Sequence, residues 1–581
     1  MLNRELAKIF RNMAFYLEME GVSFKPQAYE KAADVIESLS QDIENVYKSG
    51  GLKSLEELSG IGKNIAAHIE EYIKTGKIKN YSDFKKKIPV DIDELSQVEG
   101  LGPRKIKALY SELKIKNLID LEKAAKLGKI RNLPQFGLKS EINILESLEF
   151  LKKSRGRFLL AEILPVADKI IDNLKNLKEI RRDVLEISFA GSLRRRKETI
   201  GDADILIAAA NPAASRKIIG SFLKFPGIAK IWGKGETKIS ARMEDGFDID
   251  IRILAQESFG AGLQYFTGSK EHNIVLRKAA IGKGLKLNEY GLFKGNKMIA
   301  GKTEKEIYQA LGMDYIEPEL RENSGEIEAA LIGELPKLIN NKDILGDLHI
   351  HSNWNGGENS IEELAKEAMG MGYQYIGISD HTKFLKIENG LDEKQLEKRN
   401  KEIDRLNSGF KIQDSGFRIL RGCEANIMPD GSIDIKDSVL KKLDYAIAGI
   451  HHQMKMNENE VTERIIKAMK NKNVDIISHP TGRILKAREA YEIDFDKILE
   501  AAKKTGTILE INAYPSRLDL NDINIKKAKQ MGVKMIINSD AHEKSQMRFI
   551  EYGVFQARRG WAEKKDIVNC WQIDKLKRFF K

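Results

Sequence analysis

The stretch GSLRRRKETIGDADILIA, residues 191–208, ends in an apolar run that opens with two aspartates one residue apart. On a β-strand, positions i and i+2 share a face, so Asp202 and Asp204 lie on one side while Ala203 and Ile205 lie on the other. Two carboxylates that close repel each other unless a positive charge sits between them, and a divalent cation supplies it. FDIDIRIL, residues 247–254, repeats the pattern, with Asp248, Asp250 and Arg252 on one face and Ile249, Ile251 and Ile253 on the other. Carboxylates on adjacent strands suit in-line phosphoryl displacement with two metal ions. Ten residues upstream of the aspartate pair, Gly191 and Ser192 offer a backbone N–H and a hydroxyl to a phosphate, with Arg195 near to neutralise charge. With LEISFAG at 185–191, these runs predict an α+β sheet domain.

Upstream of that domain the pattern is helical. Leu6, Ile9, Phe10 and Met13 follow a 3.6-residue period. LEELSGIGKNIAAHI (55–69) and IDELSQVEGLGPRKIKALY (92–110) each set a Gly-apolar-Gly turn between helical segments, and RNLPQFGLKSEINIL (131–145) is a fainter third copy. Gly60 and Gly62, and Gly100 and Gly102, permit tight turns that leave the N–H groups of the following helix free for an anion. This is a helix-hairpin-helix arrangement, which holds a DNA backbone by its phosphates without reading sequence. Residues 101–300 carry 38 Lys and Arg against 23 Asp and Glu, a net of +15, whereas residues 321–581 are nearly balanced. A basic middle beside repeated hairpins is the footprint of a polyanion binder.

The chain is 581 residues long with a net charge of +11, enough for about four domains at roughly 150 residues each. It has no run of 18 apolar residues, and its start, MLNRELAKIFRNM, reads as an amphipathic helix rather than a signal peptide. Cys423 and Cys570 are the only cysteines and lack a CxxC partner, which argues against disulfides or a cysteine zinc cluster. A cytoplasmic monomer that makes no membrane contact is expected.

After Asp347 strand and helix alternate, through YQYIGISDH, FRILRGCEA, DYAIAGIHH, VDIISHP, GTILEINA and VKMIINSDAH, which favours a closed α/β barrel. Seven of the nine histidines fall in residues 349–542: His349, His351, His381, His451, His452, His479 and His542. Almost all follow an apolar strand run, as do Glu424 and Asp540. Ends of parallel barrel strands converge on one face, so a metal cluster of imidazole and carboxylate ligands is predicted there, suited to zinc, manganese or iron. His452 is read as a supporting or surface residue.

GSLRRRKETIGDADIL resembles the nucleotidyltransferase signature of the family X DNA polymerases, the group that includes DNA polymerase beta, and YFTGSKEHNIVLRKAAIGKGLKLNEYGLF (265–293) resembles that family's thumb. The resemblance covers residues 1–320 and implies this order: an N-terminal small helical domain (1–82), helix-hairpin-helix fingers (83–148), a nucleotidyltransferase palm (149–258) and a helical or mixed thumb (259–318). It implies Asp202, Asp204 and Asp250 as a triad holding Mg²⁺ or Mn²⁺, with Asp250 placed to assist deprotonation of the primer hydroxyl. Gly191, Ser192, Arg195 and Gly201 would contact the triphosphate of a dNTP, Tyr265, Phe266 and Gly268 its sugar, and Asn273 and Arg277 the minor-groove edge of the new pair. Lys25 and Lys31 would grip a 5′-phosphate of gapped or primed DNA. In members with 5′-deoxyribose phosphate lyase activity a Schiff-base lysine occupies the position of His68, and imidazole cannot form that imine; Lys63 lies one turn earlier.

The second half resembles the PHP domain, a metal-dependent phosphoesterase module often fused behind family X polymerases. GDLHIHS, SDH, GCEANI, GIHH, SHP and SDAH carry the match, which implies a distorted (β/α)₇ barrel over 346–581 behind a linker (319–345). It implies His349, His351, His381, Glu424, His451, His479, Asp540 and His542 as ligands for Mn²⁺, Zn²⁺ or Fe²⁺. The family usually has a ninth ligand shortly after HxHS, where this chain has Gly356. The expected activities are gap-filling DNA polymerisation in repair and 3′-5′ exonuclease action. A polymerase with a mainly structural barrel, and a non-catalytic DNA-binding scaffold, stand as alternatives.

Overall fold

A computed structural model describes the whole chain except residues 1, 38, 40, 41, 59, 97, 99, 100, 155, 386–388, 413–415, 455, 487 and 581. Gly100, predicted to bind DNA, lies outside the described residues. The N-terminal unit is helical, with Leu2–Glu20, Lys25–Glu37, Ile43–Glu56 and Lys63–Thr75 packed around Leu6, Phe10, Met13, Ile36, Ile65 and Ile69. A second helical unit follows, in which Pro103–Leu113 and Leu118–Lys126 share a core of Leu95, Ile106, Leu109 and Leu121. Both hairpin glycines predicted to open a helix do so: Gly62 and Gly102 are extended N-cap residues without a side-chain cap.

The palm is a five-stranded sheet in the order Val184–Phe189, Asp202–Ala209, Asp248–Ala255, Lys238–Met243, Ile228–Lys234. The strands of Asp202 and Asp248 run parallel; the rest pair antiparallel. Alternation divides the sheet cleanly. Ala203, Ile205, Ile207, Ile249, Ile251 and Ile253 bury one face under the helices Leu160–Asn176 and Pro212–Phe222, leaving the carboxylates on the other. The Gly-rich stretch ahead of FDIDIRIL also supplies two strands, Ile228–Lys234 and Lys238–Met243, because KISARM alternates against the buried Ile249 and Ile251. The thumb pairs two helices, Phe259–Thr267 and Lys270–Gly282, with a small antiparallel sheet of Lys286–Asn288, Gly291–Lys294 and Lys297–Ala300.

Residues 319–345 are well packed: Arg321, Glu326, Ile327, Ala330 and Ile339 are buried around the helix Glu326–Ile332. Beyond them two parallel sheets form the C-terminal half. One contains Gly346–Ile350, Tyr375–Ile378 and Arg418–Arg421; the other contains Glu424–Asn426, Ile447–Gly449, Ile476–Ile477, Ile508–Asn512 and Met535–Asn538. Parallel bridges His381↔Glu424 and Ile350↔Ala541 join their edges on both sides and close the barrel. Every one of these strands but Glu424–Asn426 sends one residue into a shared core: Leu348, Tyr375, Leu420, Ile447, Ile476, Ile508 and Ile536. Among the described residues no helix is long and apolar enough to cross a membrane.

Candidate active sites

In the palm, the parallel register sets Asp204 opposite Asp250 and Asp202 opposite Asp248. Asp204 is crowded: burial first, then the charges of Asp202 and Asp250, push its carboxyl up to about 7. Asp202 is raised for the same reasons, burial followed by Asp250 and Asp248. Lys238 Nζ lies 3.2 Å from Asp250 Oδ2. Asp248, the fourth carboxylate, is occupied: Arg242 grips it through two bonds of 2.8 and 2.9 Å and Trp232 Nε1 donates to it at 3.2 Å. Three repelling carboxylates are thus left facing one another, a donor set suited to hard divalent cations.

Gly191 packs directly on Asp204. Its φ is +57°, and a Cβ there would lie 2.1 Å from Asp204 Oδ2, so the Gly-Ser turn is pressed against the triad in a way that a larger residue forbids. Ser192 lies in the short helix Gly191–Arg194, and Gly201 directly precedes Asp202 with Arg157 nearest to it. Arg195 donates to Glu322 Oε1 at 2.9 Å and to the Thr267 carbonyl, which brings it beside Gly268. Tyr265 and Phe266 meet edge to face, with 5.1 Å between centroids, and Arg252 lies 4.5 Å over Phe266. Asn273 is buried, accepting from Gln264 at 2.7 Å and donating to the Tyr265 carbonyl at 2.7 Å, while the exposed Arg277 donates to the Asn273 carbonyl at 3.3 Å. Arg195 and Arg252 thus join the aspartate-bearing palm to the end of the thumb helix that carries Tyr265, Phe266 and Gly268.

Apart from Arg277, the predicted DNA-gripping residues lie in the N-terminal helical units. Lys25 and Lys31 are exposed, and the Lys31 side chain lies across Gly60. Gly62 and Gly102 present helix N-termini. His68 contacts Glu71 and Asn80, with Lys63 exposed one turn before it.

All eight predicted ligands of the barrel converge. His349 and His351 share one face by strand alternation, with Ile350 on the other; a one-residue slip of register between Asp347 and Ile350 lets His349 face inward although its neighbour Leu348 is in the barrel interior too. Glu424 is central. Its Oε2 is 2.8 Å from His381 Nδ1, 3.2 Å from His349 Nε2 and 3.7 Å from His351 Nε2; its Oε1 is 3.1 Å from both His451 Nε2 and His479 Nε2. Asp540 Oδ1 approaches His351 at 3.3 Å and His349 at 3.4 Å, and the rings of His351 and His542 stack at 4.2 Å. Three trios hold ligand atoms close enough to share an ion: His351, His381, His542; His349, His351, Asp540; and His381, Glu424, His451. His349 Nε2, both nitrogens of His351, His381 Nδ1 and Glu424 Oε2 are buried without hydrogen-bond partners. Buried polar atoms are rarely left so, and cations satisfy them all.

Charge at this centre is strongly redistributed. Burial favours neutral rings, yet the carboxylates of Glu424, Glu510 and Asp540 hold His349 well above the usual imidazole range. Against its own burial, Glu424 is pulled well below the usual carboxylate range by His349, His451 and His381. His351 is lowered by burial and by the adjacent His542 and His381. Glu510, which sequence reasoning missed, accepts from His349 Nδ1 at 2.7 Å and from the His479 N–H at 2.8 Å, orienting two predicted ligands as carboxylates behind metal-binding imidazoles do. Its signal was a buried acid alternating within GTILEINA. Asn426 performs the same service for His451 at 2.9 Å. Gly356, exposed with φ +69°, offers no ligand atom; the preceding Asn355 instead accepts from the His381 N–H at 3.0 Å. The His452 ring meets Phe384 at a tilt, with 4.2 Å between centroids.

Residues 262–322 match the DNA polymerase beta thumb, residues 1–78 a helix-hairpin-helix domain, residues 52–116 and 92–149 a SAM-like helix-hairpin-helix tandem, and residues 347–514 the PHP domain. The chain is 38% identical over 586 residues, 100% of both chains, to the DNA polymerase/3'-5' exonuclease PolX of Bacillus subtilis (strain 168). It is 34% identical over 248 residues to a probable phosphatase of Thermoanaerobacter sp. (strain X514), covering 40% of this chain and 94% of that protein. It is 26% identical over 358 residues to DNA polymerase lambda of Arabidopsis thaliana, covering 55% of this chain and 62% of that one.

Proposed function

We propose that this chain, which belongs to the family X DNA polymerases carrying a C-terminal PHP domain, divides its chemistry between the palm and the barrel. It is a DNA polymerase and 3′-5′ exonuclease that uses divalent metal ions, DNA and dNTPs. The observation that carries the palm assignment is the register that sets Asp204 beside Asp250, with Gly191 pressed on Asp204. On this reading Asp202, Asp204 and Asp250 hold Mg²⁺ or Mn²⁺. When bound, the ions lower the barrier to attack by the primer hydroxyl and neutralise the triphosphate. Asp250 accepts the primer's proton. The Gly191 turn, Ser192 and Gly201 bind phosphate oxygens, joined by Arg195 once it exchanges Glu322 for the triphosphate. Tyr265, Phe266 and Gly268 shape the sugar pocket, and Asn273 and Arg277 meet the minor-groove edge. Helix N-termini at Gly62 and Gly102, with Lys25 and Lys31, hold the two sides of a short gap.

The barrel trios hold Mn²⁺, Zn²⁺ or Fe²⁺ and hydrolyse the terminal phosphodiester at a 3′ end. Glu510 and Asn426 keep the imidazoles in their binding tautomers. Six units are proposed: residues 1–82, 83–148, 149–258, 259–318, 319–345 and 346–581. The protein works as a cytoplasmic monomer. Extension of a primer across a one-nucleotide gap, set beside digestion of a labelled 3′ end with Mn²⁺, tests the division. Asp250→Ala is expected to abolish the first alone and His479→Ala the second alone. Gap filling by the Asp250→Ala protein at the wild-type rate would overturn the palm assignment.

A further inference from the structure

The loop that precedes the palm aspartates is gripped by the C-terminal half. Arg196 lies 4.5 Å over Phe555, Arg559 donates to the Arg195 carbonyl at 2.9 Å and to Glu322 at 3.1 Å, and Glu198 meets Arg483. This last contact is placed to act on the barrel centre. The Glu198 carboxylate accepts from Arg483 at 2.7 and 3.2 Å and from Gln556 at 3.3 Å. The same guanidinium donates to the Leu518 carbonyl. Arg483 lies four residues beyond His479, and Thr481, between them, is held by Asp519 through bonds of 2.9 and 2.8 Å. On the other loop, Arg517 Nε stands 3.6 Å from Asp540 Oδ2.

Arg483 thus ties together two loops, one carrying His479 and the other abutting Asp540. Both loops are held in costly backbone shapes: φ is +27° at His479 and +43° at Leu518. Such conformations persist only where their surroundings over-determine them. Arg483 can act as the tie only while its buried charge is balanced, since an unpaired buried cation moves toward water or another anion. Buried Asp519 feels that charge from within the barrel, but the carboxylate that hydrogen-bonds the guanidinium comes from the palm.

We propose that Glu198 is a positioning residue for the barrel centre, holding His479 and its neighbouring loop in place through Arg483. The consequence is that the nuclease site is completed by docking of the polymerase core. The proposal rests on the reading of that centre as the 3′-end nuclease, and it is tested by a measurement that needs neither metal nor turnover. In full-length, metal-free protein, amide exchange in peptides spanning 479–485 and 512–520 is expected to speed up in Glu198→Lys, and less so in Glu198→Gln, which keeps a neutral hydrogen bond. Mn²⁺-dependent digestion of a labelled 3′ end should fall about tenfold in kcat in Glu198→Lys, as for other residues that orient metal ligands from behind, with KM little changed. Primer extension by the same preparations reports that the core is folded; if Glu198→Lys fails that check, Glu198→Gln carries both measurements, with the same directions expected. Wild-type exchange and digestion in a folded variant would overturn the proposal. Failure of the wild-type protein to digest the 3′ end would overturn the reading of the centre instead, leaving the exchange result to decide the role of Glu198.

Discussion

Replacing Gly191 with alanine isolates the physical link between the Gly-Ser turn and the triad. The new Cβ would stand 2.1 Å from Asp204 Oδ2 and 3.1 Å from its Cγ, so the carboxylate must retreat by about 1 Å to restore an ordinary contact. The turn itself loses about 1 kcal/mol, because φ at +57° disfavours any residue with a Cβ. A misplacement of about 1 Å in a reacting constellation costs on the order of 100-fold in rate, equivalent to roughly 2.7 kcal/mol of barrier. The assay is single-turnover extension across a one-nucleotide gap at saturating dNTP. Digestion of a labelled 3′ end by the same preparation serves as control, since the barrel is untouched. Extension within twofold of wild type would refute the argument that Gly191 is kept small by Asp204.

Glu304 accepts from Arg194 and Arg321 in a buried cluster; although burial alone would raise its carboxyl, the two guanidiniums lower it to about 2. Because that value lies below the unfolded one, its charge stabilises fully above about pH 4.5 and progressively less as pH falls toward 2. Glu304→Gln should therefore cost about 3 kcal/mol near neutrality, and the gap in Tm from wild type should hold down to about pH 4.5 and narrow progressively as pH falls toward 2; a gap that stays constant below pH 4.5 would count against the assignment. In the barrel, Glu424→Gln removes the carboxylate shared by five imidazoles. Metal analysis of the purified protein is expected to show the loss of at least one ion, with 3′ digestion lost and gap filling retained. At the N-terminal hairpin, borohydride trapping on a 5′-deoxyribose phosphate end is expected to give no adduct with wild-type protein, because His68 carries no primary amine. An adduct lost in Lys63→Ala would reassign the nucleophile to the preceding turn.

Much of this protein is legible in its sequence because the deciding signals are local. Alternation in DADILIA and DIDIRIL predicts strands and the face on which their carboxylates lie; Gly-apolar-Gly predicts hairpins; histidines at strand ends predict a cluster. The pairing of Asp204 with Asp250, and the capture of Asp248 by Arg242 and Trp232 from the two strands before it, needed the register between strands. The strands Ile228–Lys234, at the sheet's edge, and Lys238–Met243, beside it, stayed hidden because short, part-exposed segments are set by their neighbours rather than by their own composition. Only the folded chain shows the one-residue slip that lets His349 face inward beside Leu348, the Glu510 carboxylate behind His349, and the palm's Glu198 reaching Arg483 across 285 positions. A sequence fixes what each side chain can do and which way it alternates. Which charges become neighbours is settled by packing, since Coulomb attraction and desolvation act on distance through space and not along the chain.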